Sequence, residues 1–258
     1  MSLQDEQLYV LHPALRSDNG PSSEVFANIN APQSGSGYIF DDFERGAGQL
    51  ESVTATGAVA SGGGGSSDAY GVLKIAGGTA GDTTGAVASG SAGNLLALNK
   101  KTAFEVRFKK SDVSDDKGSV FLGLSATGLA PLQGTTDHSL ANDSVGFFVD
   151  FADGDKVLFS SKGSGSPAQS DVDNSIAISA NTYVKLGFVY DPNAAESKRI
   201  KIYVNGIEQT SGVTKTVMDD GNKFPASTDY LDLSIAARSS TTAAEASFVD
   251  WVKVVQEA

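Results

Sequence analysis

Apolar and polar side chains alternate with a period of two along several stretches of this chain, as in β-strands with one buried face. Residues 104–109 show it most clearly, because Phe104, Val106 and Phe108 alternate with charged residues. We predict that these three apolar side chains lie in a core. The charged side chains between them are predicted to lie outside it: Glu105, Arg107 and Lys109.

Other stretches predict further strands and the turns between them. Residues 120–124 are apolar at every position, as expected of a central strand covered on both faces. The pair Asp153-Gly154 separates apolar runs at 145–151 and 156–159, which predicts a hairpin. The pair Asn205-Gly206 predicts another two-residue turn.

These patterns together indicate the fold class. They predict about ten to fourteen strands and no helix of three turns. Many short strands with frequent turns are typical of an antiparallel sandwich or barrel, and no fixed repeat suggests a propeller or solenoid. We predict an all-β, jelly-roll sandwich over residues 38–258, behind an extended N-terminal arm at 1–37.

The arm reads differently from the rest of the chain. Three prolines and scattered glycines argue against a packed element between residues 1 and 37. A segment with so few apolar residues needs its own domain, a sister subunit or a different protein to hold it. We expect contacts between molecules, made by the apolar side chains of the arm. They are Leu8, Tyr9, Val10, Leu11, Val25 and Phe26.

Charge and composition exclude several classes of function. The chain has 31 acidic and 19 basic side chains, a formal charge of −12, which disfavours nucleic acid as a partner. It has no cysteine, so neither a disulfide framework nor a thiolate metal site is expected. No apolar run approaches the length of a membrane span, so no membrane partner is expected.

Several segments resemble the laminin-G-like branch of the concanavalin A-like lectin and glucanase superfamily. Residues 183–191, followed by 200–206, are similar to a strand ending in Tyr-Asp before a strand ending in Tyr-Val-Asn-Gly. Residues 40–43 and 248–254 look like the paired terminal strands of that fold. The resemblance covers residues 38–256 and implies a sandwich in which the two chain ends lie side by side. It fixes no activity, because one fold hosts many functions.

A second resemblance is to virion structural proteins of tailed bacteriophages, which use such sandwiches. It rests on the pattern of residues 102–113, 118–124 and 144–150. It implies a capsid decoration or cement subunit on the capsid surface, soluble when free. The implied partners are a capsid protein or another virion protein, in a homo-oligomer or a lattice, with the arm reaching across to a neighbour.

The sequence contains none of the catalytic patterns expected of this superfamily. Glucanases of this superfamily carry Glu-x-Asp-x-Glu along one strand, which places three carboxyl groups on one face. That pattern does not occur here: Asp150 is alone near its strand and Glu105 is alone among apolar residues. His12 and His138 lie near no nucleophile-elbow sequence. We therefore predict no catalytic residues and a protein that is not an enzyme.

Calcium is the one metal that the sequence suggests, because oxygen ligands suit it and aspartates are frequent. No cofactor is required, but pairing of the terminal strands would bring Asp41, Asp42 and Asp250 together as calcium ligands. A second candidate is the aspartate-rich segment 150–155, which a hairpin turn explains equally well.

The alternative function is a carbohydrate-binding, lectin-like module, with calcium shaping its loops. Trp251, the only tryptophan, is the candidate sugar platform. We expect it instead to be a core or inter-subunit anchor, and alternation along 248–255 leaves open which face of that strand is buried.

Overall fold

A computed structural model of the protein describes most of the chain in separate ranges. They are residues 20–27, 29, 38–43, 51–54, 58–61, 71–77, 84–88, 96–115, 117–127, 130–133, 139–165, 169–194, 198–239 and 246–257. Two antiparallel sheets make up almost all of this part, which confirms the predicted all-β sandwich.

The first sheet, called sheet I, contains eight strands, including both ends of the sandwich. In sheet order they are β16 (Ile207–Val213), β15 (Ile200–Val204), β14 (Val184–Tyr190), β7 (Thr102–Lys110), β18 (Ala246–Gln256), β4 (Leu73–Ala76) and β3 (Ala58–Ser61). Strand β1 (Tyr38–Asp41) also pairs with β18, antiparallel, with Tyr38 opposite Val255. The predicted pairing of the terminal strands is thereby confirmed.

The second sheet, called sheet II, also contains eight strands. In sheet order they are β13 (Ser170–Ala177), β12 (Lys156–Lys162), β11 (Ser144–Val149), β8 (Ser119–Ser125), β17 (Tyr230–Arg238), β5 (Thr84–Ala88) and β2 (Glu51–Thr54). Strand β6 (Leu96–Ala97) pairs with β17. A separate hairpin consists of β9 (Leu132–Gln133) and β10 (Ser139–Leu140).

Helices are short in the described part of the chain. They are α1 (Ser23–Phe26), α2 (Lys215–Met218) and a 3₁₀ turn at Phe151–Asp153, which joins β11 to β12. None of the described helices has the length or apolar content needed to span a bilayer. The two predicted hairpins are confirmed, and Asn205 and Gly206 both adopt the positive φ of a tight hairpin turn.

The core lies between the inner faces of the two sheets. Four phenylalanines meet at its centre: Phe104 stacks on Phe188 at 5.1 Å between ring centroids, and Phe159 meets Phe147 edge-on at 5.4 Å. Phe104, Val106 and Phe108 are all fully buried there, as predicted. Such aromatic packing adds to the free energy that burial alone contributes.

A bulge decides which face of β18 is buried. Val249 pairs with Phe108 and Trp251 with Arg107, so Asp250 is an extra residue that shifts the alternation. Because of this shift, Val249 lies on the inner face together with Val252 and Val254, which follow the bulge. Trp251 does not lie on that face. Trp251 lies on the outer face of sheet I but is only 1% exposed, so it is no open sugar platform.

Two features differ from the sequence prediction. Glu105 and Lys109, predicted to lie outside, are 0% and 9% exposed, because other segments cover the outer face of sheet I. The described part also contains eighteen strands, more than the ten to fourteen predicted, and β2, β3, β5, β9, β10 and β13 were not predicted. The first three of these lie in a stretch rich in small residues, where apolar and polar positions contrast little.

Candidate functional site

The outer face of sheet II, the face turned away from sheet I, begins with a row of polar side chains. Strand register aligns Asp232, Ser125, Ser144 and Lys162 across four neighbouring strands, and we call them the polar row. The hydroxyl oxygens of Ser125 and Ser144 lie 2.8 Å apart, and the Lys162 ammonium donates to the Leu140 carbonyl oxygen at 2.9 Å. The whole row is buried, so its hydrogen bonds are formed within the protein.

The middle of the same face is apolar and covered. Phe121 and Phe148 lie opposite each other on β8 and β11, and both are fully buried. Leu132 and Leu140 of the β9–β10 hairpin pack on them in one cluster. The middle of this outer face is therefore filled by the protein's own side chains.

Beyond the polar row, one end of the face is open. Tyr230 alternates with the buried Leu231, so it shares the outer face with Asp232, and it is 56% exposed. Asp143, just before β11, and Asp229, just before β17, are close enough for their charges to interact. We call Tyr230, Asp229, Asp143 and the exposed Asn142 the Tyr230 rim, and the buried Asp232 belongs to the polar row beside it.

Asp143 is in an unusual state. Its backbone is left-handed, with a φ of 54°, and its Oδ1 is buried without a hydrogen-bond partner among the described residues. Burial, and then the charge of Asp229, raise the pKa of the Asp143 carboxyl above its ordinary value. A left-handed residue with an unsatisfied polar atom costs stability and is common at functional sites.

The rim therefore combines two kinds of chemistry. An exposed aromatic ring can stack on the C–H face of a sugar, and carboxylates and an amide can hydrogen-bond its hydroxyl groups. Sequence reasoning missed this site because its members come from segments almost 90 residues apart; only the Asn142-Asp143 pair, typical of a turn, marked it locally.

The outer face of sheet I is covered by part of the arm. Residues 20–27 and 29, called the arm segment, lie over β7, β14 and β15. Val25 of α1 is 1% exposed and packs on Ala103 and Tyr203. A β-carbon on Gly187 would come within 3.1 Å of the Val25 side chain, so the glycine leaves room for it.

Polar contacts hold the arm segment as well. The Ser22 amide donates to Glu105 Oε2 at 2.7 Å, and the Lys185 ammonium donates to the Gly20 carbonyl oxygen at 3.2 Å. The Lys253 ammonium lies 4.1 Å from the centre of the Phe26 ring. Burial raises the pKa of Glu105 and lowers that of Lys253, although the Ser22 hydrogen bonds and nearby lysines pull the Glu105 pKa down.

These contacts place two of the predicted interface residues. Val25 and Phe26 contact the sandwich of their own chain, so in the free protein they are engaged rather than open to a partner. Residues 8–11, the other predicted contacts, lie outside the described residues. The arm boundary at residue 37 stays a prediction.

The predicted calcium ligands do not converge. Asp41 accepts a hydrogen bond from the Phe43 amide at 2.8 Å, and Asp250 forms an ion pair with Arg107. No group of three or more metal-ligating side chains occurs within the described ranges. In segment 150–155, Asp150 caps the 3₁₀ turn and Asp153 pairs with Lys156 at 2.7 Å.

His12 and His138 both lie outside the described residues.

Comparison with known proteins supports the fold. No family model matches the chain, and no curated protein matches it. A solved structure of a protein of unknown function from Shewanella oneidensis MR-1 is similar, with a TM-score of 0.56 and 15% identity over 99% of this chain and 94% of its own. A β-glucanase from Bacillus licheniformis has a TM-score of 0.52 and 13% identity over 86% of this chain and 98% of its own.

A carbohydrate esterase of the Shiga toxin-encoding bacteriophage phi24B is also similar. Its TM-score is 0.50, with 16% identity over 85% of this chain and 98% of its own. At identities this low, the similarities establish the sandwich fold. They do not establish an activity, because one fold hosts many functions.

The prediction that this protein is not an enzyme is contradicted by these similarities. Glucanases and glycosidases are among the solved structures that share its fold. The prediction failed because the missing Glu-x-Asp-x-Glu strand excludes only one arrangement of carboxyl groups. Carboxyl groups from separate segments can form other arrangements.

Proposed function

We propose that this protein recognises carbohydrate at the Tyr230 rim. The observation that carries the proposal is the exposed Tyr230 ring on the same face as Asp232, beside the interacting carboxyl groups of Asp143 and Asp229. The structural similarity to a β-glucanase and to a carbohydrate esterase supports the same class of ligand.

The raised pKa of the Asp143 carboxyl supports this use. A carboxyl group with a raised pKa donates a hydrogen bond over a wider pH range than an ordinary one, while a carboxylate accepts them. The rim thus offers both donors and acceptors to sugar hydroxyl groups.

A glycan array followed by titration calorimetry tests the proposal. We expect Tyr230→Ala to weaken the binding of the best glycan by about tenfold. Stacking of a nucleobase on an aromatic side chain contributes on the order of 1–3 kcal/mol, and a sugar ring stacked on Tyr230 is expected to contribute at the lower end of that range. The matched control is Ile207→Ala, which removes the other exposed large apolar side chain among the described residues, 69% exposed and on sheet I.

The two variants separate the outcomes. Loss of binding in Tyr230→Ala with full binding in Ile207→Ala supports the rim. Equal binding by both variants, or no glycan bound by the unmodified protein, would contradict the proposal.

The role in a virion stays a prediction that rests on the pattern of residues 102–113, 118–124 and 144–150. The arm segment is engaged by its own sandwich, so a clasp onto a neighbouring capsid subunit would depend on residues 8–11. The two roles are compatible, because a subunit on a virion surface can also present a carbohydrate-binding rim.

A further inference from the structure

A cavity of about 380 Å³ lies on the outer face of sheet I, next to α1. This volume is within the range of small-molecule sites, roughly 300–1,000 Å³. Glu24 and Val25 of α1 form one wall, and β14 and β15 form the floor. The cavity is on the opposite sheet from the Tyr230 rim, and nothing in the proposed function uses it.

Strand register builds the floor of the cavity. Arg199, Lys201 and Tyr203 alternate with the buried Ile200 and Ile202, so all three lie on the outer face. Lys201 lies opposite Val189 of β14, which also lines the cavity. Val189, Lys201 and Tyr203 therefore stand on two paired strands.

The lining is cationic although the chain carries a formal charge of −12. Among the described residues, four basic side chains and two carboxylates contribute to it. They are Lys101, Lys198, Arg199 and Lys201, against Glu24 and Asp191. Clustered cations in an acidic protein attract an anion to one place and repel it elsewhere.

The lysines have competing partners, held at long distances. Lys198 and Lys201 share the carboxylate of Glu208, with N–O distances of 3.5 and 3.3 Å. Lys101 is 4.0 Å from Asp191 and 3.8 Å from Glu257. Partly exposed pairs at such distances contribute little, so a better placed anion can replace them.

Arg199 is the only guanidinium among these four cations. Its Nε is buried and has no hydrogen-bond partner in the described part of the chain. A buried unsatisfied donor costs free energy, and a carboxylate or phosphate is the group that best satisfies a guanidinium. Beside it, burial raises the pKa of the Tyr203 hydroxyl, which keeps that hydroxyl a neutral donor.

We propose that this cavity binds a small organic anion, through a carboxylate or phosphate group held by Arg199 and flanked by Lys198, Lys201 and Lys101. Val25, Val189 and the Tyr203 ring contact the uncharged body of the ligand. The site is independent of the Tyr230 rim, and α1 of the arm segment completes it.

Titration calorimetry on the full chain, at low and at high salt, tests the proposal. The probes are glucuronate for a carboxylate, glucose 6-phosphate for a phosphate, and glucose as the neutral control. We expect at least one anion to bind, glucose not to bind here, and added salt to weaken the anion. The two anionic probes distinguish a carboxylate ligand from a phosphate ligand.

Four variants assign the site. Arg199→Gln should weaken anion binding at least about tenfold, because a charged hydrogen bond is lost. Glu208→Gln should strengthen it, because Lys198 and Lys201 lose their competing carboxylate. Lys215→Gln, which removes a cation paired with Asp219 elsewhere on the surface, should bind as the unmodified protein does.

Tyr230→Ala, the fourth variant, separates this proposal from the carbohydrate proposal, because it should leave anion binding unchanged. The anion site would be overturned if neither anion bound the unmodified protein. It would also be overturned if a folded Arg199→Gln kept full affinity, or if Glu208→Gln bound more weakly.

Discussion

The outer faces of the two sheets are both covered, but by different chemistry. On sheet II, the β9–β10 hairpin covers Phe121 and Phe148 with leucines. On sheet I, the arm segment covers Glu105 and several lysines, and its one fully buried apolar side chain in that contact is Val25.

This difference explains where each face can bind a ligand. An apolar cover seals the middle of sheet II and leaves the Tyr230 rim as its open polar part. On sheet I, a cavity lined by cations remains beside the arm segment. Both candidate sites therefore lie at the border of a cover rather than beneath it.

The largest expected effect on stability comes from removing one apolar side chain from each contact between a cover and its sheet. Phe148→Ala should lower the free energy of unfolding by about 3–5 kcal/mol, the usual cost of emptying a buried phenylalanine site. Val25→Ala removes two buried methyl groups and should cost only about 1–2 kcal/mol. Chemical denaturation of both variants measures the difference. Equal losses, or a larger loss for Val25→Ala, would contradict the contrast between the covers.

A smaller effect is expected from the charge beneath the arm segment. Burial raises the pKa of Glu105 above its ordinary 4.5, so the folded protein favours the protonated carboxyl. The resulting stabilisation is present below pH 4.5 and is lost as the pH rises through the raised pKa. Glu105→Gln has no carboxyl group at this position, so its stability does not decrease in this way as the pH rises.

Denaturation across a pH series measures this effect. The free energy of unfolding of Glu105→Gln, relative to the unmodified protein, should increase as the pH rises from below 4.5 towards neutral. Titrations elsewhere in the molecule are common to both proteins and cancel in the difference. A difference that decreases over this range would show that the ionised carboxylate stabilises the docked arm segment.

The inner faces of the sandwich were largely predictable from the sequence. Alternation at Phe104, Val106 and Phe108 identifies their burial, because period two fixes which side chains share a face. The turn at Asn205-Gly206 follows from the backbone conformations that those two residues tolerate. Pairing of β1 with β18 followed from the resemblance rather than from any local pattern.

The outer faces were not predictable in the same way. Alternation shows that Glu105 points away from the core, but it carries no information on what covers that face. The bulge at Asp250 shifts Trp251 out of phase, and no residue type there signals an extra position. The Tyr230 rim and the cationic cavity both need the tertiary arrangement, because their members come from distant segments.

Chemical-shift mapping by nuclear magnetic resonance, with the best neutral glycan from the array, tests the central claim most directly. We expect chemical-shift changes at Tyr230, Asn142 and Asp143, and none at Val25 or Arg199 beside the cavity. Shifts confined to the outer face of sheet I, with the Tyr230 rim unchanged, would contradict it.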